Sequence, residues 1–288
     1  MRKDDLRDDR MKIAIASGKG GTGKTTVTVN LALSLGDCTV LDCDVEEPDT
    51  NLYLKVPLKK LEDVYLLNPK IDKEKCELCG KCADFCRYNA LARLPSEVLL
   101  FQGICNGCGG CKLVCPFDAI DEAKRNIGVI EGGEKDGIRF LRGVLSIGEA
   151  RSPPVIGKLK ENIRDGDVTL LDSPPGSSCP FVKTVSDCDY AILVTEPTPF
   201  GLHDLKMVMD VLDDMKIPYG VVINKHGIGD ESVENYLSEK GVEILGRIPN
   251  SIKLAKLGSE GRPIIDDEPE MLKLFKDIYE KVIRGVRP

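Results

Sequence analysis

Short apolar runs that end in acidic or polar residues recur along the chain, and most are followed by a stretch with helical spacing. The first run, residues 12–17, leads into a glycine-rich segment, after which residues 24–35 show the spacing of a helix. Further runs have the composition of buried parallel strands: 39–42, 168–172, 190–195, 219–224 and 242–248. Helical stretches at 202–215, 231–240 and 270–284 supply the crossovers that parallel strands require. The pattern predicts an α/β fold with a doubly wound, mostly parallel sheet.

The alternation of strand and helix stops between residues 66 and 123, where cysteine, glycine and short charged turns replace it. We interpret 66–123 as a small inserted α+β domain, and 11–65 together with 124–288 as its host domain. Strand-like patterning resumes at 127–130 and 140–147, around a turn predicted at Gly132-Gly133. Residues 1–10 are charged and almost without apolar side chains, which predicts a disordered extension before a fold that begins at Met11.

Composition narrows the class of protein. The 288 residues are 42% apolar and 30% charged, as in ordinary soluble globular proteins. No apolar run of about 18 residues occurs, and the first residues lack the apolar stretch of a secretory signal, so we expect a cytoplasmic protein with no membrane partner. The net charge of −7 disfavours nucleic acid as a partner. The amphipathic stretch at 270–284 superficially resembles a membrane-targeting tail, but its apolar stripe is wide enough to pack on the sheet.

The glycine-rich segment has the pattern of a phosphate-binding loop between a strand and a helix. In such a loop, backbone N–H groups point at phosphate oxygens, a lysine neutralises their charge and a threonine hydroxyl binds Mg²⁺. Gly18, Gly23, Lys24 and Thr25 match these roles. The predicted nucleotide-binding residues of this loop are Gly18, Gly20, Gly21, Thr22, Gly23, Lys24, Thr25 and Thr26. The predicted cofactors are ATP and Mg²⁺.

The segment from Lys19 to Thr26 resembles the deviant Walker A motif of the MinD/ParA/Mrp family, which also includes the nitrogenase iron protein. The resemblance implies that Lys19 reaches the nucleotide bound to a second subunit. ATP would then hold a homodimer together, and the chain would be a nucleotide-dependent homodimer.

Two acidic motifs extend the resemblance. Val40-Leu41-Asp42-Cys43-Asp44 is similar to a motif in which Asp42 supports the Mg²⁺ shell and Asp44 orients or deprotonates the attacking water. Leu170-Leu171-Asp172-Ser173-Pro174-Pro175-Gly176 is similar to the Walker B and switch II segment, with Asp172 near Mg²⁺ and Gly176 at the γ-phosphate. The resemblance also implies that Asn224 reads the adenine edge. Phosphoryl transfer depends on such placement of metal and water. The resemblance thus implies slow, partner-stimulated ATP hydrolysis, with Lys19, Lys24, Asp44 and Asp172 as the catalytic residues.

Eight of the 12 cysteines form two C-x₂-C-x₂-C-x₃-C runs inside the predicted insertion. This spacing is that of bacterial ferredoxins with [4Fe–4S] clusters, whereas structural zinc prefers two separated C-x₂-C pairs. The second run continues into Pro116, as in those ferredoxins, but the first continues into Arg87-Tyr88. In two-cluster ferredoxins the fourth cysteine ligates the other cluster. The predicted ligand sets are therefore Cys76, Cys79, Cys82 and Cys115 for one cluster, and Cys86, Cys105, Cys108 and Cys111 for the second.

The other four cysteines have different surroundings. Cys38, Cys43 and Cys188 lie in or beside apolar runs and are predicted to be small core residues. Cys179 follows the switch II motif, where a metal-binding or thiol role is a hypothesis. The late C-x₂-C pair of cluster-carrier members of the family is missing, which argues against scaffold activity of that kind.

The motifs together favour an ATP-hydrolysing iron–sulfur protein. In this hypothesis a nucleotide-driven dimer or conformational switch is coupled to electron transfer or metal-cluster assembly on an unknown redox or metal-cluster partner. One alternative is a MinD/ParA-type positioning ATPase that carries a structural ferredoxin. Another is an electron carrier with an inactive P-loop, which the complete motifs disfavour. A third alternative is a nitrogenase-reductase-like protein. In such a protein two subunits share one cluster, whereas here both predicted sets of four cysteines lie within one chain.

Overall fold

The computed structural model describes residues 11–286 and centres on a nine-stranded sheet. The predicted extension at 1–10 lies outside these residues. The strands are β1 Lys12–Ala16, β2 Cys38–Asp42, β3 Lys59–Ile71, β4 Leu91–Arg93, β5 Val98–Leu100, β6 Ile120–Lys135, β7 Ile138–Leu145, β8 Thr169–Asp172, β9 Tyr190–Thr195, β10 Tyr219–His226 and β11 Ile244–Pro249. The large sheet has the order β11-β10-β9-β1-β8-β2-β7-β6-β3, and β4 pairs with β5 in a separate small sheet.

Helices cover both faces of the large sheet. The α-helices of the described residues are α1 Lys24–Leu35, α2 Asn51–Leu54, α3 Lys81–Phe85, α4 Gly110–Leu113, α5 Ser152–Lys160, α6 Cys179–Val185, α7 Pro199–Met215, α8 Ser232–Lys240, α9 Ile252–Ser259, α10 Ile264–Asp267 and α11 Met271–Val286. Alternate residues of the central strands point to opposite faces. Ala14, Leu41 and Leu171 belong to one buried apolar cluster, whereas Ile13 and Ile15 belong to the other. The doubly wound α/β prediction is therefore confirmed.

The parallel part of the sheet runs from β11 to β7, and its pairs are β11·β10, β10·β9, β9·β1, β1·β8, β8·β2 and β2·β7. Beyond β7 the sheet is antiparallel, because β6 pairs antiparallel with both of its neighbours, β7 and β3. Since β1 lies between β8 and β9, the loop that follows β1 opens at the centre of the carboxyl edge of the sheet. In open α/β sheets this edge is where ligands bind.

The turn predicted at Gly132-Gly133 is wrong. Both glycines lie inside β6, and the chain turns at Asp136-Gly137, where both residues have positive φ. Gly133 is needed for close packing, because a Cβ there would lie 2.1 Å from the carbonyl oxygen of Pro57. A glycine pair in a strand can thus mark a close backbone approach and not a reversal.

Strands β3 and β6 form a long antiparallel ribbon that carries the cysteine-rich part of the chain. The ribbon is paired from Lys59↔Gly132, in the large sheet, to Ile71↔Ile120, beside the cysteines. Beyond it lie α3, α4 and the β4·β5 pair, which we call the cysteine module, residues 72–119. The two strands stay paired past positions 66 and 123, with register shifts at Lys60/Glu62 and Val64/Tyr65, so both proposed domain boundaries fall within strands.

The C-terminal helix α11 packs its apolar stripe on the protein. Phe275, Ile278 and Val282 are buried, and the helix contacts α1, β9 and β11. Gly246 of β11 leaves room for it, because a Cβ there would lie 2.8 Å from Ile278 Cδ1. The predicted packing of this stripe on the sheet is therefore confirmed. Within residues 11–286, no helix combines the length and the apolar character needed to cross a bilayer.

Candidate functional site: a phosphate-binding loop and two cysteine-lined cavities

The loop between β1 and α1 has the backbone of a phosphate-binding loop. Gly21 and Gly23 have φ of 76° and 97°, in the left-handed region that favours glycine. A Cβ at Gly23 would also lie 2.2 Å from Asn224 Nδ2. Helix α1 begins at the largely buried Lys24, so the helix N-terminus and the lysine both favour an anion at this loop.

Two buried aspartates lie side by side next to this loop. Asp42 ends β2, Asp172 ends β8, and the two are register partners in neighbouring parallel strands. Thr50 joins them, because its N–H donates to Asp42 Oδ2 at 3.1 Å and its hydroxyl donates to Asp172 Oδ2 at 2.9 Å. Burial raises the pKa of Asp172 to about 6, against the opposing effect of the Lys24 ammonium. Burial and the neighbouring Asp172 raise the pKa of Asp42 well above its usual value.

The donor set fits a hard cation and a phosphate. Asp172 Oδ1 and the Thr22 hydroxyl are buried and make no hydrogen bond to any residue in the described range. The Thr25 hydroxyl donates to Asp49 Oδ1 at 3.1 Å. Carboxylate and hydroxyl oxygens are the ligands that Mg²⁺ prefers, and a bound cation would remove the cost of two adjacent buried carboxylates.

Asp44 lies two residues beyond the end of β2 and is half-buried. Its N–H donates to Asp42 Oδ1 at 3.2 Å, and its own carboxylate is not needed for that contact. Burial raises the pKa of Asp44 to about 6, although the Lys24 charge opposes this effect. Gly176, predicted at the γ-phosphate, has φ of 89° and donates its N–H to Ser17 O at 2.9 Å. The structure thus brings Asp44 and Gly176 to the loop that carries Lys24.

Lys19 is held by an acidic residue that the sequence motifs did not single out. Its ammonium pairs with Glu196 Oε1, and Lys225 Nζ lies 3.0 Å from Glu196 Oε2. Lys225 Nζ also donates to Gly21 O at 3.3 Å. Burial opposes ionisation of Glu196, but the hydrogen bonds from the two lysines outweigh it and lower its pKa. Glu196 directly follows β9, and a polar residue at the end of a central strand is the signal that could have found it.

Asn224 is placed against the P-loop. Its Nδ2 donates to Thr22 O at 2.7 Å, and its Oδ1 accepts the N–H of Lys225 at 2.9 Å. The structure therefore gives this amide a role in shaping the loop. Reading of an adenine edge stays a prediction.

The cysteines of the module line two cavities. The larger, about 560 Å³ including space open to solvent, is lined by Cys86, Cys105, Cys108 and Cys111 together with apolar residues such as Leu67 and Phe85. The smaller, about 340 Å³ on the same measure, is lined by Cys76, Cys79, Cys82 and Cys115, with Ile71 and Ile120. Each cavity thus combines three cysteines of one run with the fourth cysteine of the other. Among the described residues, no group of three or more His, Cys, Asp or Glu side chains converges on one metal-ion position.

The crossed arrangement follows from an internal repeat of 29 residues, seen in the pair Cys76 and Cys105. The N–H of Asp72 donates to Ala119 O, and its counterpart Phe101 donates to Ala90 O, both at 2.8 Å. These bonds place the entry to each run beside the end of the other. The fourth cysteine of a run is therefore carried to the cavity of its neighbour.

The repeat extends to the backbone. Positive φ occurs at matched positions, namely Leu78 and Gly107, Gly80 and Gly109, and Asn89 and Asp118. The N–H of Ala90 donates to Cys86 Sγ at 3.3 Å, and the N–H of Ala119 donates to Cys115 Sγ at 3.4 Å. The turn after Cys86 thus matches the turn after Cys115, although only the second contains proline. Hydrogen bonds to cysteine sulfur of this kind stabilise metal-bound thiolates.

The remaining cysteines divide as predicted. Cys38, Cys43 and Cys188 are buried core residues, and burial raises the thiol pKa of Cys38 and Cys188 to about 12 and that of Cys43 well above its usual value. Cys179 is exposed at the first residue of α6. Its proposed metal-binding or thiol role stays a hypothesis.

The fold and the nucleotide site define a P-loop ATPase, and comparison with known proteins gives its family. Residues 13–264 match the model of the CobQ/CobB/MinD/ParA nucleotide-binding domain. The chain therefore belongs to this family of ATPases.

Several relatives cover almost the whole chain. An uncharacterised protein of Methanocaldococcus jannaschii is 34% identical over 277 residues, which is 94% of this chain and 96% of the relative. A protein of Pyrococcus abyssi named an iron–sulfur cluster carrier is 27% identical, over 96% and 87% of the two chains. Among solved structures, MinD of Pyrococcus horikoshii with Mg-ADP matches with a TM-score of 0.57 and 22% identity, over 97% and 99% of the chains. This structural match shows the fold alone.

Proposed function

We propose that this ATPase is a cytoplasmic iron–sulfur protein with two [4Fe–4S] clusters. In this proposal a nucleotide-driven homodimer switch is coupled to electron transfer, or to metal-cluster assembly, on a partner protein. The observation that carries this proposal is the pair of cavities, each lined by four cysteines in a crossed set. Both cavities belong to the cysteine module, which the β3·β6 ribbon joins to the sheet that bears the P-loop.

The residues of each cavity suit a cubane. Four thiols line each cavity together with apolar side chains, and N–H groups already point at Cys86 and Cys115. A bound cluster of this type supplies one-electron chemistry between a donor and an acceptor, which we expect to be one-electron redox proteins. The cysteine sets would hold the clusters, and the surrounding apolar residues would limit access of water to them.

The nucleotide site suits hydrolysis with the roles assigned from sequence. Lys24 and the amides of residues 18–25 would hold the phosphates, while Thr25, Asp42 and Asp172 would support Mg²⁺. Asp44 would orient the attacking water, and Gly176 would respond to the γ-phosphate. Lys19 would cross to a second copy of the chain when ATP is bound.

Relatives named iron–sulfur cluster carriers support a role in cluster handling. The chain lacks the late C-x₂-C pair, so we place its clusters in the crossed cavities and not on such a pair. The positioning alternative has less support, because the apolar stripe of α11 packs on α1, β9 and β11 and is not free for a membrane surface.

The test of this proposal is anaerobic purification followed by measurement of iron, acid-labile sulfide and ATP turnover. We expect about eight irons and eight sulfides per chain and reduced-state spectra of two [4Fe–4S] clusters. ATP hydrolysis should be measurable and should depend on Mg²⁺. If the protein held zinc in place of iron, the redox part of the proposal would be rejected and only a nucleotide switch would remain.

Replacement of Glu196 by glutamine is expected to tighten ATP-dependent dimerisation. Lys19 must leave Glu196 before it can reach the partner's nucleotide, and the pair is only partly exposed, with 31% and 12% side-chain exposure. Loss of one partly exposed ion pair is typically worth up to about 1 kcal/mol, and a symmetric dimer breaks two of them, so the dimer constant should change by up to about 30-fold. Analytical ultracentrifugation with a non-hydrolysable ATP analogue measures the effect.

The matched control is Glu234→Gln, which removes a carboxylate that pairs with Arg247 at 2.9 Å and with His226 at 3.2 Å, and not with Lys19 or Lys225. It should leave the dimer constant unchanged. A weaker dimer in Glu196→Gln would show that Glu196 orients Lys19 for the partner and does not retain it.

A further inference from the structure

Residues 145–152, which we call the bridging segment, join the nucleotide side of the sheet to the cysteine module. On the nucleotide side, the N–H of Leu145 donates to Val45 O at 2.8 Å, and the Ser152 hydroxyl donates to Glu46 Oε1 at 2.8 Å. These acceptors directly follow the carboxylate that we propose to orient water. A rearrangement of that loop on nucleotide binding would therefore act on the segment at both of its ends.

On the module side, the bridging segment reaches the approach to Cys105. Arg151 Nη2 donates to Gln102 O at 3.3 Å and also bonds to Gly103 O. Gln102 O in turn accepts the N–H of Cys105 at 3.3 Å. One carbonyl oxygen is thus shared by the guanidinium and by a cysteine that lines the larger cavity. Phe101 O also accepts the N–H of Cys105, at 3.2 Å, so displacement of Arg151 would change one of the two hydrogen bonds that position this cysteine.

A buried carboxylate fixes the geometry of the bridging segment. The Glu149 side chain is only 3% exposed, and its Oε1 accepts the N–H groups of Ala150 and Arg151, both at 3.1 Å. Arg151 Nε lies 3.5 Å from the same oxygen, while Oε2 pairs with Arg125. Held in this way, Arg151 has little freedom to move independently of the segment.

We propose that Arg151 is a positioning residue through which nucleotide state acts on the cluster held by Cys86, Cys105, Cys108 and Cys111, and not on the other cluster. The contacts run from Glu46 through Ser152 and Arg151 to Gln102, and they end at that cavity. The inference rests on the proposed function, because it presupposes clusters in both cavities. It adds which of the two clusters responds to nucleotide and which side chain carries the response.

The test is a redox titration of the anaerobic holoprotein, followed by EPR, with ADP and with a non-hydrolysable ATP analogue. In the parent protein we expect the analogue to shift one of two midpoint potentials. Ser152→Ala breaks the link to Glu46 but leaves the bond from the Leu145 N–H to Val45 O, so it should reduce this shift and leave both ADP-state potentials unchanged. Arg151→Lys keeps the charge but loses the planar fork, so it should abolish the shift and also change the ADP-state potential of the responding cluster.

Lys73→Met is the control, because it removes a cation of the module that pairs with Glu97 at 2.9 Å and not with the bridging segment. It should keep the nucleotide-dependent shift. Cys76→Ala, which we expect to retain only the cluster of the larger cavity, identifies the responding cluster, and the shift should persist in this variant.

Equal shifts of both clusters, a shift confined to the other cluster, or a shift that is undiminished in both Ser152→Ala and Arg151→Lys would overturn the inference. The inference would also be overturned if neither midpoint potential changed between ADP and the ATP analogue, although the proposed iron–sulfur ATPase would then stand. Absence of iron from the parent protein would instead reject the proposed function itself, and the inference with it.

Discussion

Removal of Cys86 together with Cys105 is expected to leave one intact cluster, whereas removal of Cys86 together with Cys76 is expected to leave none. The two cavities assign Cys86 to the set of Cys105, although in sequence it ends the run of Cys76. A cubane that loses thiolate ligands is no longer held, so two losses on one cluster spare the other. Iron analysis of anaerobically prepared alanine variants should give about four irons per chain for the first pair and close to zero for the second.

The single variants and one control complete this experiment. Cys86→Ala and Cys115→Ala should each lose about half of the iron, from different clusters. Cys179→Ala removes an exposed cysteine outside both cavities and should keep all of it. If the pair Cys76 and Cys86 retained one cluster and the pair Cys86 and Cys105 lost both, each run would bind its own cluster and the crossed assignment would be wrong. Loss of iron in Cys179→Ala would support the metal-binding hypothesis for that residue.

The sequence predicted those features of the fold that arise from local pattern. Helix α1 has the predicted bounds, Lys24–Leu35, and β9 has the predicted bounds, Tyr190–Thr195, because glycine or polar residues mark the ends of each apolar pattern. The strand β3 was not predicted. Its one apolar run, residues 64–67, is short and flanked by charged and polar residues, and one face of the strand is exposed because it lies at the edge of the sheet. This strand forms because it pairs with β6, and such pairing cannot be predicted from the local sequence pattern.

The same distinction applies to the candidate site. The P-loop glycines and the cysteine runs could be found by spacing, because backbone geometry and ligand geometry demand particular residues at particular intervals. Thr50 joins Asp42 and Asp172, and Glu196 holds Lys19, yet each acts across the fold and has no motif of its own. The bridging segment is a similar case, since Arg151 and Gln102 are 49 positions apart. Tertiary contacts of this kind require the structure.

Replacement of Asp44 by asparagine is expected to slow ATP hydrolysis by about 10²- to 10⁴-fold while nucleotide binding is retained. The residue lies at the loop that carries Lys24, and its N–H contact with Asp42 Oδ1 involves only the backbone. An amide can therefore keep the local structure, but it cannot accept a proton from the attacking water. Steady-state turnover with Mg-ATP, together with equilibrium binding of a fluorescent ATP analogue, separates the two effects.

Glu47→Gln is the matched control for Asp44→Asn, because it removes an exposed carboxylate from the same loop and should leave turnover unchanged. Unchanged turnover in Asp44→Asn would contradict the role of Asp44 in orienting water, and loss of nucleotide binding would indicate a role in the Mg²⁺ shell. If turnover falls and binding remains, the variant holds ATP without hydrolysis. Because Val45 and Glu46 in the same loop contact the bridging segment, this variant should then show the nucleotide-dependent shift of one cluster potential with ATP itself.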